Sequence, residues 1–264
     1  MPFDDIPVWM LFLITIIFVM ISMEIGHRLG HAMRRRSQDE KESPVGAIAG
    51  AILGLSAFML AITFSIAWGR NDARKELVRD EAVAIRTAWN RADFLPATNR
   101  AEAKSLLREY VDHRVTFVQT YTVDSDKTQE FLAHAQRIQD RLWEMAVANA
   151  QIDMNSNVAA LYIESLNDMN ATHAKRLAVA IQTRIPWEVG VALLLITILA
   201  MMAVGYQTGI AGSKRSVAGP ILAVSFAMVI ALITLIDRPE SGAIFVTQQP
   251  LIDVQTMMAD HTPP

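Results

Sequence analysis

The chain contains no cysteine, only 19% charged residues and 7% aromatics. Without a thiol there are no disulfides, no thiolate nucleophile and no cysteine-held zinc. The shortage of charge is equally informative, because about 25% is usual for a soluble domain. Here 52% of 264 residues are hydrophobic and the mean hydropathy is +0.25, which points to a membrane protein. A net charge of -3 and a pI near 6.1 exclude a strongly basic nucleic-acid binder, since neutralising phosphates needs an excess of Lys and Arg. No glycine-rich phosphate loop, Gly-x-Ser-x-Gly elbow or HExxH motif occurs. No enzyme and no cofactor are expected.

What is present is a set of long apolar runs. A spanning helix needs about 20 mostly apolar residues, and four runs approach or reach that length: Ile6 to Ile25, Val45 to Trp68, Val189 to Tyr206 and Val217 to Ile236. The first follows Asp4 and Asp5 and precedes Arg28, Arg34, Arg35, Arg36 and Lys41, the reverse of a secretory signal's charge order. By the positive-inside rule, this loop and the loop with Lys214 and Arg215 are cytoplasmic. The N-terminus, the middle region and the C-terminus then face the periplasm of a bacterial inner membrane. The chain divides into spans one and two with their basic loop (1–69), an extramembrane helical domain (70–185), spans three and four (186–238) and a C-terminal tail (239–264).

The middle domain reads as helix. Val78, Ala82, Ile85, Trp89 and Ala92 repeat at 4-3-4-3 spacing, the seam of packed helices. Pro96 ends that helix, and Asn99 with Glu102 fits a capping box for the next. Asp124, Ser125 and Asp126 mark a turn, and Asn155, Ser156 and Asn157 start a further helix that meets the third span near Pro186. With no alternating strand pattern, the predicted fold is all-α: four transmembrane helices with a helical bundle inserted between spans two and three.

Two constellations carry possible chemistry. Glu24, His27 and His31 lie at i, i+3 and i+7, one helix face that could offer two imidazoles and a carboxylate to a metal. Glu24 also stands four residues before Arg28, an ordinary ion-pair spacing, and no metal is expected. In span two, Gly46, Gly50, Gly54, Ala57 and Ala61 draw a smooth stripe for close helix packing. The other side presents Ile52, Ser56, Thr63, Arg70 and Arg74. That side either lines a watery path or simply bonds its hydroxyls back to its own helix carbonyls.

The stretch GAIAGAILGLSAFMLAITFSIAWGRNDARKELVRDEAVAIRTAWNRADFLP, with EIGHRLG before it and LIDRPESGAIFVTQQPL near the end, resembles the bacterial bestrophin-like membrane family. The resemblance implies a homo-oligomeric channel in the membrane with inorganic ions and lipids as partners. Bestrophins being anion channels, the second span would line the pore through Ile52, Ser56, Thr63 and Arg70, matched by helix phase. Arg70 and Arg74 would ring its mouth. The alternative is a non-conducting envelope sensor or scaffold whose periplasmic domain binds a ligand or partner.

Overall fold

In the computed structural model, residues 6–36, 42–120, 125–182, 185–212, 217–238 and 246–260 are described. Among them are eight helices: α1 (Val8–Arg36), α2 (Glu42–Arg91), α3 (Ala97–Thr120), α4 (Ser125–Ala150), α5 (Asn157–Gln182), α6 (Trp187–Ala211), α7 (Ala218–Asp237) and α8 (Gln249–Asp260). No strand occurs among the described residues. Four helices, α1, α2, α6 and α7, are long and apolar enough to cross a membrane. The 50 residues of α2 measure about 75 Å at 1.5 Å per residue, far more than the ~30 Å hydrocarbon core, so α2 is span and extramembrane helix in one. The chain forms two compact units, one of residues 1–71 and 184–244, the other of 72–183 and 245–264. Lys41, Lys214 and Arg215 of the basic loops, and Asp4, Asp5 and Asp124, lie outside the described residues.

In the first unit, α1 packs on α6 and, less extensively, on α7. Four glycines explain the closeness of α1 and α6. A methyl group on Gly26 or Gly30 would run into the backbone oxygens of Met202 and Tyr206, and one on Gly205 or Gly209 into those of Met23 and His27. A Gly-x3-Gly pair on each helix lets the two backbones touch, the geometry in which dispersion gains hold membrane helices together. Thr208 donates its hydroxyl proton to Gly205 O at 2.7 Å, leaving its oxygen 3.3 Å from His27 Nδ1. The far end of α6 closes on Gly212, whose φ of 67° is the left-handed conformation that glycine adopts without strain. The surface of this unit is bulky and apolar: Ile17, Ile21, Ile25 and Leu29 form an exposed i, i+4 row on α1, as a lipid-facing helix should.

The second unit contains the extramembrane part of α2, α3, α4, α5 and α8. All five seam residues expected from the 4-3-4-3 spacing are buried. They meet Leu107, Tyr110, Leu142, Leu166 and Met169 in one core. α2 ends in a 3-10 turn, Ala92–Phe94, and α3 begins at Ala97. The helix therefore starts ahead of the expected Asn99 cap: the N–H groups of Asn99 and Arg100 already bond Pro96 O. Ser156 does cap α5, accepting from Ala159 N–H at 3.2 Å. The stretch expected as a tail contains α8, which packs on α3. Leu251, Val254 and Met258 enter the core, while Arg108 reaches Met258 O through two nitrogens at 2.8 and 3.2 Å.

Candidate functional site

The span of α2 has an inner and an outer side, and burial separates them. Ala49, Ser56, Leu60, Thr63, Ala67 and Asn71 are buried in the first unit. Leu60 and Ala67 join Leu193 of α6 with Ile233 and Ile236 of α7. Ser56 is fully buried, its hydroxyl 3.4 Å from that of Thr197. Thr63 donates to Met59 O at 2.8 Å, the back-bonding typical of hydroxyls in membrane helices. Ser56 and Thr63 are thus buried within the protomer, and Ile52 is half-buried. Arg70 is half-buried with Nη1 3.8 Å from Asp237 Oδ1, so its charge is largely answered. Arg74 is also half-buried.

The other side is open. A methyl group built on Gly50 or Gly54 would meet nothing within 4 Å, and one on Gly46 only the Gln207 side chain. Ala57 and Ala61 are exposed. Directly opposite the buried side, Ala47, Ala51, Gly54, Phe58, Ala61 and Ser65 form an exposed line at 4-3 spacing. At about 100° per residue such a line runs straight up the helix. It continues through exposed Asp72, Glu76, Arg79, Val83 and Arg86. Phe58, 61% exposed, is the one bulky side chain among those six span positions.

A buried ionic cluster in the second unit escaped the sequence reading. Glu81 on α2 is fully buried. Arg114 Nε lies 3.1 Å from its Oε1, and Arg176 Nη1 contacts Oε2. Tyr110 donates to Glu81 Oε1 at 3.2 Å while its oxygen lies 3.0 Å from His173 Nδ1 and 3.3 Å from Gln139 Nε2. Burial pushes the Glu81 carboxyl up, but Arg114, His173 and Arg176 outweigh it and hold the group far below the usual carboxylate range. Burial, followed by the charge of Glu81, pushes the Tyr110 hydroxyl far above its ordinary value. The cluster ties α2 to α3 and α5, and Arg176 extends it to Gln248 Oε1 at 3.3 Å, just before α8. A signal was present in the sequence: Glu81 falls between Val78 and Ile85 on the seam side of the helix.

The metal candidate comes apart. Glu24 Oε1 takes Arg28 Nε at 2.7 Å, and the parallel His27 and His31 rings are 6.5 Å apart. No three potential ligand side chains converge anywhere among the described residues.

The 50-residue α2 thus combines a membrane span with an extramembrane helix. The model of the Bestrophin-like domain matches residues 13–251. The chain belongs to the bestrophin-like family. Solved structures with the same fold include variants of a bacterial Bestrophin homolog from Klebsiella pneumoniae. One is 15% identical, with 96% of this chain and 99% of that chain covered at a TM-score of 0.62. Another is 14% identical over 95% and 97% at a TM-score of 0.65. A further membrane protein structure aligns over 97% of this chain and 99% of its own at a TM-score of 0.65 and 15% identity. No curated protein sequence matches. At such identities the bestrophin likeness establishes the fold, and function rests on this chain's own side chains.

Proposed function

We propose that this bestrophin-like protein is a homo-oligomeric membrane ion channel with α2 lining the conduction path. One observation carries the reading: the outward line of α2 is built of small residues, whereas the exposed row of α1, Ile17, Ile21, Ile25 and Leu29, is bulky. A lipid-facing helix gains nothing from Ala47, Ala51, Gly54, Ala61 and Ser65 in a row. A helix around a narrow axis does, because small side chains leave a lumen and an occasional large one sets its constriction. Phe58 occupies that constricting position. The lining is therefore assigned to the 47-51-54-58-61-65 line in place of Ser56 and Thr63. Gly50 and Ala57, at the flank of the line, are free to meet a neighbouring copy's helix closely.

Anion preference was expected from Arg70 and Arg74. Asp237 offsets Arg70 inside the protomer, and the first charges on the open line beyond the span are Asp72 and Glu76. Selectivity is accordingly assigned to the exposed Asp72, Glu76, Arg79 and Arg86. The loop arginines orient residues 70–185 to the periplasm. An impermeant thiol reagent on intact cells should then label Ser125→Cys but not Ser37→Cys, and the reverse pattern overturns that orientation. The test of the function is reconstitution in planar bilayers under a salt gradient. Current that Ala61→Trp abolishes supports the channel. A correctly assembled protein silent under voltage, tension and pH change contradicts it and favours the sensor or scaffold reading.

A further inference from the structure

Where α3 meets α4, two histidines bridge the helices in opposite directions. His113 of α3 lies flat on Phe131 of α4, with ring centroids 3.9 Å apart and 11° between the planes, and its Nε2 donates to Phe131 O at 3.0 Å. His134 of α4 reaches back to α3, its Nε2 3.0 Å from Glu109 Oε1. The two imidazole centroids are 4.4 Å apart. Both rings are half-buried and Phe131 is buried. The pair belongs neither to the open line of α2 nor to the Glu81 cluster.

The contacts fix where the protons are. Arg137 Nη2 lies 3.2 Å from His134 Nδ1. A guanidinium only donates, so Nδ1 accepts and His134 is neutral with its proton on Nε2, towards Glu109. A carbonyl oxygen only accepts, so His113 carries its proton on Nε2 and needs no charge to hold Phe131. Acid adds protons at unequal cost. One on His134 Nδ1 displaces Arg137, but the new charge faces the Glu109 carboxylate. A second charge, on His113, meets His134, Arg114 and Arg137, with Glu109 as the single acid facing the pair. The other acids of the packed helices have partners or face solvent. Asp112 accepts from Gln255 and Asp253 from Gln249, Glu81 of α2 is held by Arg114 and Arg176, and Glu130 and Asp260 are exposed. On α5, His173 is engaged with Tyr110.

We propose that His113 and His134 form a proton-operated latch, closed while both imidazoles are neutral and opened when mild acid charges both and drives α3 from α4 at this point. Burial, followed by the charges of His134 and Arg114, holds His113 below its ordinary value against the pull of the Phe131 carbonyl and Glu109. The stability it contributes is therefore fully present above about pH 6.5 and is lost as the pH falls through its lower folded-state value. Arg114, the next residue, holds Glu81, so the loosening reaches α2. The latch acts inside the second unit and does not depend on conduction.

The test is hydrogen exchange of the full-length protein in detergent, read by mass spectrometry as protection relative to the free peptide at each pH. In wild type, protection of residues 129–140 should fall by about fivefold between about pH 7.5 and about pH 5.5, within the roughly tenfold per pH unit that one proton allows. Protection of α5 should stay the same. His113→Phe keeps a ring on Phe131 with no site for a proton and should abolish the fall. His134→Gln keeps a donor for Glu109 and should at least halve it, which carries the test if His113→Phe is already unprotected at neutral pH. Equal protection of wild type at both pH values overturns the proposal. So does a fall that keeps its size in His134→Gln or in folded His113→Phe, and so does an equal fall in α5, which is loss of the whole bundle.

Discussion

Two sets of glycines in the same membrane unit have opposite surroundings. Gly26 and Gly30 on α1 meet Gly205 and Gly209 on α6 so closely that no methyl group fits, whereas Gly50 and Gly54 on α2 face open space. Both sets share the four-residue spacing that lets helices approach. A Gly-x3-Gly stripe thus encodes a capacity for contact, and only the partner decides whether contact occurs within a protomer or beyond it. The same division holds for hydroxyls. Ser56 is buried against Thr197, and Ser65 on the opposite side is exposed.

The largest expected effect comes from breaking the closed set. Gly205→Leu forces α1 and α6 apart along their whole contact, and a membrane protomer that no longer elutes as a defined species on size exclusion in detergent is the expected outcome. By contrast, the double change Gly50→Leu, Gly54→Leu should leave the protomer's helicity and thermal stability near wild type while altering assembly or current. Equal damage from both sets would show that the open glycines are as closely packed as the closed ones. A second large effect belongs to the extramembrane unit, where Glu81→Gln leaves two arginines around a neutral group. Removing one partner of a buried ion pair costs about 3–5 kcal/mol, measurable as a lowered denaturation midpoint of the full chain.

The pH dependence of that cluster has a definite sign. The Glu81 carboxyl is held below its unfolded value of about 4.3. Its contribution to stability is therefore fully present above that pH and is lost as the pH falls further toward the folded-state value. Thermal stability should show no loss from this group at neutral pH and should drop in strong acid, and Glu81→Gln should lack that acid-dependent component. The smallest effect expected is on selectivity. Because Asp237 answers Arg70, Arg70→Gln in assembled protein should barely move the reversal potential under a salt gradient, and Glu76→Gln should move it more.

Much of this was legible in the sequence, for reasons that are local. Four spans follow from hydropathy alone, and the 78-82-85-89-92 seam follows from periodicity, because each property is summed over neighbouring residues. What was not legible depends on partners distant in sequence. The two sides of span two are both small and mildly polar, so periodicity separates them without saying which one meets α6 and α7; both readings of the Ser56 side stay open until its burial is seen. The α1–α6 contact needed Gly26 and Gly30 to be read together with Gly205 and Gly209, some 180 residues away. Glu81 sits in the charge-rich run KELVRDEAV, where composition does not set it apart from Glu76 or Asp80. Only its position between Val78 and Ile85 does. The helix α8 was hidden because its apolar set, Leu251, Val254 and Met258, is short and follows a proline.

Because the chain contains no cysteine, single cysteines can report which side of α2 faces the conduction path. Single cysteines at Ala61, Ser65, Ser56 and Thr63 can be exposed to a water-soluble thiol reagent while bilayer current is recorded. Modification should block current in Ala61→Cys and Ser65→Cys and leave Ser56→Cys and Thr63→Cys untouched. Block at the Ser56 and Thr63 positions, with none at Ala61 and Ser65, would contradict the assignment of the open line of α2 to the conduction path.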